Sequence, residues 1–255
     1  MITFSEAQLM AWLSPMVWPF LRVLAMFTSA PVFSSRTFPV RARIALAFFV
    51  ALAAQPFLGT QPVISIGGPD AAAAVLQQVG VGLAIGFVIR VVFAAVELAG
   101  EVIGFQMGLN FASFFDPTLN TQTSAVAGFF GKMASFMFVV MNGHLLLLLA
   151  VVKSFKTFPV DQSFLVAVTQ MKVLDLGADL FASGLWIALP LVGMMMFTNL
   201  ALGIVSRVAP QMNIYAIGFP ITLTVGLIGM AVTLPMLDQP FLTLMSRAID
   251  IFAVI

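Results

Sequence analysis

The stretch Ala72-Ala-Ala-Val-Leu-Gln-Gln-Val-Gly-Val-Gly-Leu-Ala-Ile-Gly-Phe-Val-Ile-Arg-Val-Val-Phe-Ala-Ala-Val96 decides the fold class. A helix needs about 20 apolar residues to cross the hydrocarbon core of a bilayer, and this run exceeds that length. It is too long for a strand and lacks the alternation of a membrane barrel. In lipid, only a structure that satisfies its own backbone polar groups is viable, and for such a run that structure is a helix. Five further runs approach the same length: 8–31, 44–66, 125–152, 180–206 and 214–237. A shorter apolar tail, 241–255, follows Pro240. The reading is an all-α integral membrane protein with about six hydrophobic helical runs.

Composition agrees. Hydrophobic residues make up 61% of the 255-residue chain before glycine is counted, and charged residues only 8%. A soluble domain has about 45–50% apolar and 25% charged residues, so these charges cannot cover a water-facing surface. Net charge +1 gives no basic footprint for nucleic acid. The absence of Cys removes disulfides, thiolate catalysis and Cys-based metal sites, and the single His144 has no His partner for a metal. Met1 to Pro15 contains Glu6 and no basic residue, so it lacks the positive region of a cleavable leader, and the first run is expected to be retained.

Three breaks separate the runs. Ser34 to Arg43 is a basic turn with Arg36, Arg41 and Arg43; Leu109 to Ser124 is polar and Phe-rich; Lys153 to Asp179 mixes Lys and Asp. Apolar spacing over Val168–Asp179 predicts a short interfacial helix. With six simple crossings, a cytoplasmic Arg turn places Lys153, Lys156 and Lys172 outside, against the usual positive-inside bias. Either some runs are buried hairpins, or the balancing Asp161, Asp175 and Asp179 excuse the lysines.

Arg22, Arg90, Lys132 and His144 lie inside apolar runs, where a mid-bilayer charge costs on the order of 3 kcal/mol and therefore faces protein or water. Arg90, Glu97 and Glu101 are spaced to share one helix face as buried charges. That face is read either as an ion pair with a snorkelling end, or as the wall of a wet cavity or intersubunit seam. Gly100, Gly104 and Gly108 overlap it as a small-residue strip for close helix approach, a device that Gly82 and Gly86 repeat.

In Gly108-Leu-Asn-Phe-Ala-Ser-Phe-Phe-Asp-Pro-Thr-Leu-Asn-Thr-Gln-Thr-Ser124, three rings, Phe111, Phe114 and Phe115, precede the turn-forming Asp116-Pro117. Rings that exclude water beside a polar remainder suit a plug; an interfacial loop dipping its rings among headgroups is the plainer alternative. Arg207-Val-Ala-Pro-Gln-Met-Asn-Ile-Tyr-Ala-Ile-Gly-Phe-Pro220 reads as a tight helix–loop–helix hairpin, with Pro210, Gln211 and Asn213 at the turn and Gly218 and Pro220 in the second arm. Neither a phosphate loop nor HExxH nor G-x-S-x-G occurs, so no catalytic residue, metal or cofactor is expected.

Together with Ala30-Pro-Val-Phe-Ser-Ser-Arg-Thr-Phe-Pro-Val-Arg-Ala-Arg43, those last two stretches resemble the signature segments of the FliR family, whose injectisome counterparts are the SctT proteins. The resemblance covers nearly the whole chain and implies a subunit of the flagellar type III export gate. It implies long bent helical hairpins in a helical hetero-oligomer with the P-type (FliP) and Q-type (FliQ) subunits, and FlhB at the cytoplasmic entrance. Residues 1–175 would pack like a P-type subunit and 176–255 like a Q-type one. Segment 108–124 would be the plug loop, with Phe111, Phe114, Phe115, Asp116 and Pro117 in it. The assembly would sit in the flagellar basal body, in the bacterial inner membrane, protruding toward the periplasm, and pass unfolded flagellar proteins. A reading from another class is a secondary transporter for protons or a small solute using Arg90, Glu97 and Asp116, though no internal symmetry supports it.

Overall fold

A computed structural model describes residues 6–58, 68–110, 124–160, 175–211 and 213–252. Every element among them is helical: α1 Glu6–Ser29, α2 Val40–Ala54, α3 Ala71–Gln106, α4 Ala125–Val140, α5 Gly143–Thr157, α6 Asp175–Val208, α7 Ile214–Thr233 and α8 Asp238–Asp250. Short 3-10 turns, Gln55–Phe57 and Leu234–Met236, follow α2 and α7. The 36 residues of α3 and 34 of α6 are about 54 and 51 Å long at 1.5 Å per residue, well beyond a hydrocarbon core of about 30 Å.

Among the described residues four helical segments are long and apolar enough to cross a membrane: 40–57, 71–106, 176–208 and 216–236. The α4–α5 pair makes a fifth if it is one broken span. The expected continuous run 125–152 is thus two helices, bent by 70°. The cause is local: Asn142 takes the left-handed conformation at φ 56, and its carbonyl accepts from the N–H groups of Leu145 and Leu146 to start α5. The first run forms α1, which carries Pro15, Pro19 and Arg22 and is not among those four. Asp175 to Asp179 form the first turns of α6, so they belong to a long helix and not to a separate interfacial one; residues 168–174 lie outside the described residues.

The chain divides into two compact units interleaved in sequence: 1–91, 138–177 and 245–255 in one, 92–137 and 178–244 in the other. In the first unit, α1 packs against α2, and the N-terminal half of α3 lies close along α1. A Cβ on Gly86 would stand 2.7 Å from the backbone of Met26 and Ala30, and one on Gly82 would strike the carbonyl of Arg22. Ser29 Oγ donates across this contact to the Leu83 carbonyl at 3.2 Å. Trp18, Met26, Phe27, Ile85, Ile89, Phe138 and Phe252 are fully buried in this unit.

The centre of the first unit is polar. Arg22 is completely buried; its Nε donates to Gln78 Oε1 at 2.8 Å, one terminal nitrogen to Ser154 Oγ at 3.0 Å and the other to the Phe158 carbonyl at 2.7 Å. Its guanidinium carbon stands 3.7 Å from the centroid of the Phe155 ring. Gln78 donates to Gln77, and Gln77 to the Pro159 carbonyl, so α1, α3 and the end of α5 share one hydrogen-bonded cluster. The planar fork of Arg suits three acceptors held by α3 and by the end of α5. The amphipathic α8 buries Phe241, Met245, Ala248 and Ile249 and leaves Gln239, Arg247 and Asp250 exposed.

Candidate functional site

The site is assembled in the second unit from the C-terminal half of α3, the start of α4 and the α6–α7 hairpin. Gly100 lets α4 approach: a Cβ there would stand 2.7 Å from the Ala127 Cα. From the other side, a Cβ on Gly131 would stand 2.7 Å from Glu97 Oε1. Gly104 leaves room for Asn110, whose side-chain oxygen would be 3.1 Å from an added Cβ.

Gly108 does a different job from the other two glycines of its strip. The Gly108 N–H bonds to the Phe105 carbonyl and the Leu109 N–H to the Gly104 carbonyl, both at 3.1 Å, with Gly108 at φ +78. This is the Schellman ending of a helix, in which a left-handed glycine lets the chain turn back over the last turn. Gly108 therefore terminates α3, where the sequence had placed it in a continuous packing seam.

The chain that turns at Gly108 returns to the same helix. Asn110 is buried and donates Nδ2–H to Glu101 Oε2 at 2.8 Å. The Ser124 N–H points at Glu101 Oε1 at 3.4 Å, and Ser124 Oγ caps α4 by accepting from the Ala127 N–H at 3.2 Å. One carboxylate thus receives both ends of the intervening stretch. Phe111, Phe114, Phe115, Asp116 and Pro117 fall in that stretch and lie outside the described residues.

The third motif folds as the expected hairpin. The Ala209 N–H closes α6 on the Val205 carbonyl at 2.9 Å, and Pro210 and Gln211 form the turn. Asn213 begins α7, its carbonyl and side-chain oxygen both accepting from the Ala216 N–H. The arms lie antiparallel, since Gly218 faces Leu202 while Gly229 faces Leu191 and Met194. Arg207, Pro210, Gln211, Asn213 and Pro220 are exposed, and Gly218 is half-buried. The hairpin's second arm leans on the end of α3: Gly226 admits Met107, and Thr222 Oγ1 reaches the Met107 carbonyl at 3.4 Å.

Between these parts lies a groove of about 700 Å³, lined by Phe105, Gln106 and Gly108 from the end of α3 and by residues of both hairpin arms, Asn199, Ser206, Phe219 and Thr222 among them. Among the described residues that line it none is charged. The second and third sequence motifs therefore meet here, at Gly108 and Phe219.

The expected charge face is only partly covered by this chain. Arg90 and Glu97 are exposed on the chain and only Glu101 is half-buried. The buried stripe of α3 runs through Ile85, Ile89, Val92, Val96, Ile103 and Met107. The spacing of the charges does put them near one side of α3, but a helix apolar all round carries no mark of which side turns inward. The residues missed by sequence reasoning are Asn110 and Ser124, whose signal was their place at the two ends of the Phe-rich stretch. Among the described residues no cluster of His, Asp or Glu suited to a metal is present.

Residues 13–248 match the family described as bacterial export proteins, family 1. The chain is 37% identical over 255 residues to the flagellar biosynthetic protein FliR of Pectobacterium carotovorum subsp. carotovorum, covering 99% of this chain and 97% of that protein. It is 39% identical over 243 residues to FliR of Escherichia coli K12, covering 94% and 92%. To FliR of Bacillus subtilis it is 31% identical over 216 residues, covering 84% and 83%. A chain matched almost end to end by one export-family description and by flagellar biosynthetic proteins belongs to the FliR family of bacterial export proteins.

Proposed function

We propose that this chain is a non-enzymatic subunit of the flagellar type III protein export gate, helping to enclose and plug the channel through which unfolded flagellar proteins cross the inner membrane. The observation that carries this reading is the end-to-end similarity to FliR proteins. The closed root of the Phe-rich stretch supports it, since Asn110 and Ser124 both meet Glu101. Large exposed apolar residues along α6, including Trp186, Phe197, Leu200 and Val208, suit contact with lipid or with other greasy subunits.

In this reading the unlike partners are the P-type (FliP) and Q-type (FliQ) subunits and FlhB. Residues 1–175 play the P-like part and 176–255 the Q-like part, raised toward the periplasm in the basal body. Phe111, Phe114 and Phe115 exclude water from the passage, and Asp116-Pro117 turns the loop back. The described lining of the groove is uncharged and does not include Arg90 or Glu97, which the transporter reading would use.

The test is electrical. In a purified complex reconstituted in planar bilayers, Phe114→Ala with Phe115→Ala, or deletion of 110–122, makes the closed complex leak small ions. Parental conductance in a fully assembled variant complex overturns the plug. Motility and copurification with unlike membrane subunits test the wider assignment: a transporter would purify alone or as a symmetric oligomer.

A further inference from the structure

We propose that the turn between α1 and α2 is a binding site for an anionic phospholipid, in which Arg36, Arg41 and Arg43 hold the headgroup phosphate and the outer row of α2 takes an acyl chain. The site lies in the first of the three sequence motifs, which the groove leaves unused. It goes beyond the export assignment and does not depend on the plug.

Charge comes first. Three arginines fall within eight residues, and the sequence has no acid between Glu6 and Asp70. Among the described residues none of the three side chains has an ion pair or a hydrogen bond. Arg36 and Arg41 are exposed. Arg43 is half-buried, and its Nε is shut off from solvent with no acceptor in reach. A buried charged donor without an acceptor is unfavourable, and an acceptor brought from outside removes the penalty.

The local fold holds these arginines in place. The Phe33 N–H bonds to the Pro31 carbonyl at 2.8 Å, closing a three-residue turn with Val32 at φ 68, where a β-branched residue is rarely found. Ser35 Oγ donates to the Val32 carbonyl at 2.7 Å, and the Phe33 ring meets those of Phe27 and Phe38 at 4.6 and 5.8 Å. Pro39 then opens α2 without a side-chain cap, and no acid stands in the first turn. The Arg43 N–H is the first to bond within the helix, to the Pro39 carbonyl, so those of Val40, Arg41 and Ala42 have no intrahelical acceptor. The positive end of a 15-residue helix thus adds to three guanidinium groups. Phosphate suits this set, because arginine forks and helix-start N–H groups both match its oxygens.

The apolar face beside the arginines selects a lipid over free phosphate. Segment 40–57 is long and apolar enough to cross a membrane, and only 17% of it is buried in this chain. Val40, Ile44, Phe48 and Leu52 are exposed at four-residue spacing, a row about 18 Å long that leads away from the arginines. Arg43 heads the neighbouring row, whose Ala47 and Ala51 are buried. It therefore stands where α2 passes from its packed side to its outer side. A phosphate held there leaves its acyl chain along the apolar row, and basic residues at the end of a span attract anionic lipid. An acidic protein segment would answer the charge but not the row.

The test uses the protein purified in detergent with the membrane subunits that accompany it. Dioleoyl phosphatidylglycerol, dioleoyl phosphatidylcholine and inorganic phosphate are titrated separately, and bound lipid is counted by native mass spectrometry. The parent binds phosphatidylglycerol about tenfold or more tighter than phosphatidylcholine, and millimolar inorganic phosphate does not displace it. Replacing all three arginines by Gln weakens phosphatidylglycerol roughly a hundredfold, about fivefold for each arginine. Arg36→Lys stays near the parent, since an exposed ammonium still attracts the headgroup. Arg43→Lys loses as much as Arg43→Gln, because an ammonium lacks the fork to which Nε belongs. Phe48→Ser weakens both lipids alike. Equal binding by the parent and the triple variant overturns the site, as does parental affinity in Arg43→Lys, which would reduce it to unstructured charge attraction. Displacement by inorganic phosphate overturns the lipid as occupant. Loss of an accompanying subunit from the triple variant, with lipid binding unchanged, marks a protein contact instead. Should the triple variant not fold, the two Arg43 variants decide alone.

Discussion

Gln55 donates Nε2–H to the carbonyl of Pro15 at 2.6 Å. Pro15 stands four residues before Pro19, and Pro19 has no N–H to offer that carbonyl, as every other helix-interior residue would. The side chain from the end of α2 takes the place of the missing backbone donor in α1. Membrane helices tolerate proline where a neighbour satisfies the freed group, and here the neighbour is identifiable.

Replacing Gln55 by Leu therefore leaves a part-buried carbonyl unsatisfied and costs about 1–3 kcal/mol. In a Pro19→Ala background the helix supplies its own donor, so the same Gln55→Leu change costs clearly less. Thermal unfolding of the four proteins in detergent, followed by tryptophan fluorescence, gives the coupling. Additive costs would show that Gln55 and the proline gap are unrelated.

The Arg22 cluster makes a second prediction. Arg22→Lys keeps the charge but replaces a three-donor planar fork by a point ammonium, which cannot serve Gln78, Ser154 and the Phe158 carbonyl together. Loss of two hydrogen bonds to a buried charge is worth on the order of 3 kcal/mol. Arg36→Lys, at an exposed position, should fall within about 0.5 kcal/mol of the parent. Denaturation midpoints of the two variants check the contrast, and equal midpoints would remove Arg22 from its central place.

These clusters also show what the sequence could and could not say. Apolar run length located α2, α3, α6 and α7, because a hydrocarbon solvent leaves a long helix little alternative. Close packing at Gly82, Gly86 and Gly100 was legible for a similar reason: backbone contact is what such spacing permits. The break at Asn142 was missed although Asn142-Gly143 is a turn-prone pair inside the fourth run. Arg22 stood out as a charge in an apolar run, but its acceptors lie 56, 132 and 136 residues away, and no local pattern pairs them. That Arg90 and Glu97 stand exposed on the chain was not legible, because apolar residues surround them on every side of α3.

Gly108 yields a third prediction, resting on backbone conformation alone. At φ +78 an L side chain is strained, by roughly 1–2 kcal/mol, whatever space surrounds it. Its nearest prospective neighbour, the Phe219 ring, is at an ordinary 3.6 Å, so sterics add little. Gly108→Ala should lower stability by about 1 kcal/mol or more, and Gly108→Asn by less, since Asn visits the left-handed region more readily. A Val variant should be the worst of the three. Equal stabilities for Ala and Asn would mean that α3 does not end in this turn.

Gly100 and Gly128 supply the fourth, because they ask for opposite signs from the same substitution. Both sit in helices, and Ala is the better helix former by about 0.5–1 kcal/mol wherever its methyl fits. At Gly128 no atom lies within 4 Å of an added Cβ, so Gly128→Ala should stabilise the chain by that amount. At Gly100 the added carbon would stand 2.7 Å from the Ala127 Cα and 3.0 Å from the Ala127 nitrogen, and backbone cannot swing aside as a side chain can. The α3–α4 pair must then separate, which overpacking data put at about 1–3 kcal/mol of lost stability. Separation also draws Ser124 away from Glu101, so Gly100→Ala should lower the melting temperature of the protein. The Gly128→Ala protein should melt higher than the parent. If both variants melt alike, helix propensity alone governs these positions and the close approach of α4 to α3 is not what holds this part of the protein.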